Sequence, residues 1–204
     1  GHRPFTAATG VRIPLGTLCF PARPGERGDS VLMSQKMNDA LNTQIGNEFG
    51  ASMQYVAIGC HFGVEGLPEL SAHFLRQGDE ERMHAMKLVQ YVVDAGGRVV
   101  IPQIAAPKPN FKTAEEAVQL SVTWEVTVTK QINGLVDLAI AESDHITRNF
   151  LQWFVNEQLE EVSSMEQLLS IVRRAGENGL LFVEDYLVRR GAPKVASAGG
   201  GGAE

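Results

Sequence analysis

Residues 150–161 read Phe-Leu-Gln-Trp-Phe-Val-Asn-Glu-Gln-Leu-Glu-Glu, and their spacing decides the fold. With the residues that follow, Leu151, Phe154, Gln158, Glu161, Met165, Leu168 and Val172 recur at alternating steps of three and four. That is the seam a helix turns toward a bundle interior. Three earlier segments carry the same seam. The first reads Leu41, Ile45, Glu48, Ser52, Tyr55; the second Leu70, Phe74, Gln77, Glu81, His84, Leu88, Tyr91; the third Val118, Ser121, Glu125, Val128, Ile132, Leu135. No strand-like alternation of any length competes. The pattern predicts helices over about 34–63, 67–95, 113–142 and 143–175, with a short fifth over about 178–190. Gly96-Gly97 stops the second helix, and Thr113 with Glu116 fits a capping box at the start of the third.

Loop lengths set the topology. The links at 63–66 and 143–144 are short, so the helices they join are antiparallel neighbours. The link over about 97–112 is long and holds Pro102, Pro107 and Pro109. About 16 extended residues span ~53 Å, whereas a helix of about 28 residues is ~42 Å long. This link can cross the bundle end to end and leave the second and third helices parallel. The fold class expected is all-α: a four-helix bundle with one long crossover and a short C-terminal fifth helix.

The flanks read differently. Residues 1–33 hold Pro4, Pro14, Pro21 and Pro24 and no helical period, which suits a disordered leader or tag-derived segment. The opening Gly-His reads as a tag remnant, with Met33 or Met37 near a natural start. Residues 191–204 end in a glycine run and read as a flexible tail. The bundle is expected over 34–190. Its 204-residue chain suffices for one domain with a sizeable core. A net charge of −6 argues against a nucleic-acid partner bound through phosphates. No apolar run approaches the ~20 residues of a membrane span. Cys19 and Cys60 form no motif and read as reduced thiols in a cytoplasmic protein.

Every seam places a glutamate at its middle: Glu48, Glu81, Glu125 and Glu161. Glu48 and Glu81 each lie about 15 residues from the first hairpin turn, and Glu125 and Glu161 about 17–19 from the second. At helical rise the four meet at one height. Buried carboxylates without partners are costly, and no Lys or Arg occupies the seams. Two divalent cations would balance the four charges. His84, one turn after Glu81, adds a nitrogen ligand. Carboxylates with imidazole suit iron or manganese better than thiolate-seeking metals. A lone Glu-x-x-His is usually a solvated pair; four matched glutamates are what make a two-metal centre the better reading.

The segments Glu48-x6-Tyr55, Glu80-Glu81-x-x-His84, Trp124-Glu125 and 150–161 resemble the bacterial non-haem ferritins, a ferritin-like di-iron family. The resemblance covers about 34–190. It implies iron storage with ferroxidase activity: two Fe(II) oxidised by O2 or H2O2, and ferric oxide deposited inside a 24-subunit shell. It implies Glu48, Glu81 and His84 as ligands of a first iron, Glu81 as the bridge, and Glu125 and Glu161 as ligands of a second, with Gln158 beside it. It implies Glu80, Glu157 and Glu160 as a third iron site nearer the cavity, and Tyr55 and Trp153 as redox-active aromatics. The same three glutamates read from spacing alone as a solvated face. Glu142 and Asp144 read either as linings of three-fold entry channels or as helix-end charge, Asp144 being a cap.

Related families separate at single positions. Bacterioferritins place a histidine where Glu161 stands and bind haem through a methionine where Arg82 stands, so no haem is expected. Rubrerythrin-type peroxidases carry a second Glu-x-x-His and usually a Cys-rich iron domain, neither of which is present. Two readings of other classes stay open: a di-iron enzyme with an organic substrate, which needs an apolar pocket at the site, and a structural or cargo-binding bundle with a vestigial site.

Overall fold

The computed structural model describes residues 31–190. Its helices are α1 (Gln35–Val64), α2 (Pro68–Asp94), α3 (Ala114–Ala141), α4 (His145–Ala175) and, after a 3-10 turn at Glu177–Gly179, α5 (Leu180–Arg190). These match the expected spans to within two or three residues at each end. Residues 1–30 and 191–204, and with them Cys19, lie outside the described residues. The end of the expected leader is tied down: Leu32 N–H donates to Ala95 O at 2.9 Å and Met33 is buried.

Local chemistry starts α1, α3 and α4. Ser34, Thr113 and Asp144 accept backbone N–H groups from Met37 (3.0 Å), Glu116 (3.1 Å) and Thr147 (2.9 Å), satisfying donors the helix cannot. The expected capping box is only half formed. Glu116 reaches past Thr113 to take the Lys112 N–H at 2.7 Å and the Lys108 ammonium at 2.5 Å. Helix α2 begins on Pro68 behind Leu67, which has no capping side chain. Its cap comes from α5: Glu184 accepts the N–H groups of Glu69 and Leu70, both at 2.8 Å.

α1 and α2 form one antiparallel hairpin and α3 and α4 another, with α1 also packed on α3. The α1–α2 contact is close at Gly78, where a Cβ would stand 3.0 Å from Val56 Cγ2 and 3.2 Å from Ser52 O. Ser52 Oγ donates to Gly78 O there at 2.6 Å.

The crossover is pinned along α1 by amide side chains. Asn38 and Asn42 donate to Arg98 O at 3.1 and 2.8 Å, and accept from Arg98 N and Val100 N, both at 2.9 Å. Near the other end of α1, Gln54 exchanges both hydrogen bonds with Lys108, at 3.0 and 2.8 Å. The chain thus runs the length of α1 and delivers α3 parallel to α2, as its length predicted. No helix among the described residues is long and apolar enough to cross a membrane.

The core is two apolar clusters with a polar layer between them. One gathers Ile58, Phe62, Phe74, Val118, Met165 and Leu168; the other gathers Leu41, Ile45, Leu88, Ile132, Leu151 and Phe154. Burying each such side chain contributes about 1.5–3 kcal/mol. A fold supplied on both sides in this way can hold a polar layer that contributes nothing to burial.

Candidate metal centre

Four helices deliver that layer. Glu48 and Ser52 come from α1, Gln77, Glu81 and His84 from α2, Ser121 and Glu125 from α3, Gln158 and Glu161 from α4, and all are buried. Glu81 is 1% exposed and Glu161, the most open of the four glutamates, 7%. Ligand atoms of Glu48, Glu81 and His84 lie within 4.8 Å of one another, as do those of Glu81, Glu125 and Glu161. Glu81 belongs to both sets, the position of a bridge. His84 turns Nδ1 toward Glu81 Oε2 at 3.3 Å and Glu161 Oε1 at 3.5 Å.

Each glutamate has one oxygen left over. Glu48 Oε2, Glu81 Oε2, Glu125 Oε2 and Glu161 Oε1 are buried with no hydrogen-bond partner among the described residues. Buried polar atoms are nearly always satisfied, so four orphan oxygens in one layer are a donor set that could hold a cation. The opposite oxygens of Glu48, Glu125 and Glu161 are partnered. Gln44 Nε2 donates to Glu48 Oε1 at 2.8 Å, and Asn47 Nδ2 donates to Gln44 Oε1 at 3.2 Å. The Tyr55 hydroxyl donates to Glu125 Oε1, and Gln158 Nε2 donates to Glu161 Oε2. Gln158 Oε1 takes the Thr129 hydroxyl at 2.8 Å. The amide therefore offers its NH2 to the cluster and its oxygen to α3, and ligating through that oxygen requires a flip.

Without a cation the layer sheds charge onto protons. Burial pushes the Glu48 carboxyl up to about 7, partly offset by the bond from Gln44. Burial and then the neighbouring glutamates raise Glu81 and Glu161 well above the carboxylate range; burial also raises Glu125. Burial, with Lys87 adding to it, lowers His84 to about 4, which leaves a neutral ring able to ligate. A divalent cation held here would replace those protons and partner the bare oxygens.

The remaining predicted residues divide. Glu80 reaches the cluster, within 4.8 Å of ligand atoms of His84 and Glu161. Glu157 is raised by burial first, then by Glu160 and Glu80, so the three acids are neighbours, though Glu157 and Glu160 join no such set. Trp153 meets His84 edge-on at 5.3 Å between centroids, and Lys87 Nζ lies 4.2 Å over its ring. Tyr55 is buried in the layer. Asp144 acts as the α4 cap, while Glu142 Oε2 accepts from Ser34 Oγ at 2.7 Å. Gln44, Asn47 and Thr129 escaped the sequence reading because each lies off its helix's seam. A cavity of about 360 Å³, lined by His61, Phe111, Glu177 and Leu180 among others, sits at the α1–α3–α5 end of the bundle, away from the layer.

Two helical hairpins, one crossover and a carboxylate–histidine layer of this kind define the di-metal carboxylate class of helical bundles. The family model described as a ferritin-like domain matches residues 38–175, and the chain belongs to the ferritin family, whose members store iron. It is similar to the ferritin BfrB of Mycolicibacterium smegmatis, 42% identical over 179 residues covering 86% of this chain and 98% of that one. The bacterial non-heme ferritin of Bacteroides fragilis is 31% identical over 159 residues, 78% of this chain and all of its own length. Among solved structures, an open pore ferritin from Archaeoglobus fulgidus superimposes with a TM-score of 0.75 at 37% identity, covering 77% of this chain and 97% of that one.

Proposed function

We propose that this ferritin is a ferroxidase that binds two Fe(II) as substrate in the polar layer, oxidises them with O2 or H2O2, and deposits ferric oxide inside a 24-subunit shell in the cytoplasm. Glu48, Glu81 and His84 hold the first iron, Glu81, Glu125 and Glu161 the second, and Gln158 steadies Glu161. The observation that carries the reading is the set of four orphan glutamate oxygens gathered at one level of the core.

Each Fe(II) gives up one electron to the oxidant. Four carboxylates favour the higher charge of Fe(III), and the hydrated product moves on. Glu80, Glu157 and Glu160 form the third iron site on that route, which Glu80's approach to His84 and Glu161 supports. Tyr55, bonded to Glu125, and Trp153, against His84, stand close enough to exchange electrons with the centre. Haem is not part of the assembly, because Arg82 stands where a haem-ligating methionine would.

Aerobic Fe(II) addition tests this reading, with oxo-iron absorbance followed and irons counted at saturation. Storage predicts hundreds to thousands of irons per shell and a native mass of 24 chains. Uptake that stops at two per subunit contradicts storage. Glu48→Ala is expected to lose the fast oxidation phase, and an unchanged phase would contradict the assigned ligands.

A further inference from the structure

A second group of unsatisfied buried atoms lies on α2, about 12 Å up the helix from Glu81 by helical rise. His73 is 5% exposed, and its Nε2 has no hydrogen-bond partner among the described residues; nor has the buried Nε of Arg76. Three residues apart, the two share one face of α2. Helix α5 packs on α2 and brings Arg190 to the same corner, where one of its nitrogens donates to the Tyr186 hydroxyl at 2.7 Å.

Three nearby acids are committed elsewhere, and neither Glu69 nor Asp79 forms an ion pair with His73 or Arg76. Glu184 spends both oxygens on the N–H groups of Glu69 and Leu70. Glu80, one turn beyond Arg76, accepts from Gln77 Nε2 at 2.6 Å. Asp185 pairs with Arg189 at 2.6 Å. No carboxylate among the described residues lies within ion-pair distance of Arg76. Burial, then Arg76 and Arg190, hold His73 down at about 4, as a cationic corner without an anion should.

A buried imidazole and a half-buried guanidinium without acceptors lack the same thing: a small, negatively charged acceptor with several oxygens. We propose that His73, Arg76 and Arg190 form a binding site for an inorganic oxyanion of the phosphate class, one per subunit and separate from the metal centre. Arg76 supplies charge-assisted N–H bonds and His73 a ring N–H. The site would let this ferritin take up phosphate without iron in the bundle.

Equilibrium dialysis of the iron-free, full-length protein against labelled inorganic phosphate tests it. Saturable binding of one phosphate per subunit is expected, weakened at least about tenfold in Arg76→Gln and in His73→Leu. Arg76 is half-buried, so its variant is expected to fold even if His73→Leu does not. Glu48→Ala is expected to bind phosphate as the parent does. Absence of saturable binding at millimolar phosphate, parent-like binding by Arg76→Gln, or loss of binding in Glu48→Ala would each overturn the proposal. The last result would place the anion in the polar layer rather than at the His73–Arg76 corner.

Discussion

Gln44 holds Glu48 by one oxygen and leaves the other bare for a cation. Outer partners of this kind fix a ligand's direction, and losing one typically costs 10–100-fold in metal affinity. Gln44→Leu is therefore expected to weaken Fe(II) binding at the Glu48–Glu81–His84 triad by about 10–100-fold. Anaerobic titration would measure it, and unchanged affinity would remove Gln44 from the account. The glutamates of the layer were legible in the sequence because a seam with a glutamate at its centre breaks an otherwise apolar run. Their supports were not. Gln44, Asn47 and Thr129 lie off the seams, and only the packed structure tells them from surface polar residues. Gln158 was found by position, but which end of its amide faces the cluster depends on Thr129, on another helix.

Helix number, spans and order could be read from spacing, stop signals and loop lengths, because those are local properties of the chain. What joins the elements could not. Nothing local marks Asn38, Asn42 and Gln54 as the clamps of the crossover, since their partners lie 54–60 residues away. Helix α2 likewise takes its cap from a glutamate 114 residues on. Asn42→Leu leaves the Val100 N–H and Arg98 O without one partner each, at an expected cost of about 1–3 kcal/mol. Hydrogen exchange checks this: the Val100 amide should exchange faster while amides in the α3 core stay protected. Uniform loss of protection would mean that Asn42 supports the whole bundle rather than the strap.

For the whole molecule, the polar layer trades stability for binding. Its glutamates titrate higher folded than unfolded, so they contribute most below the ordinary carboxylate range of about 4.3. That contribution is lost as pH rises through about 7 for Glu48, and as Glu81 and Glu161, also raised by burial, ionise in turn. The melting temperature of the metal-free protein is expected to fall relative to a Glu81→Gln variant between about pH 5 and 8. A constant difference across that range would mean that Glu81 is ionised in the empty site. Fe(II) loading should release protons and flatten the dependence.

The most direct measurement of the central claim is anomalous diffraction at the iron edge, from crystals loaded with Fe(II) without oxygen. Two iron peaks per subunit are predicted in the polar layer, one among Glu48, Glu81 and His84 and one among Glu81, Glu125 and Glu161. A layer free of anomalous density, with iron bound only elsewhere, would contradict the account.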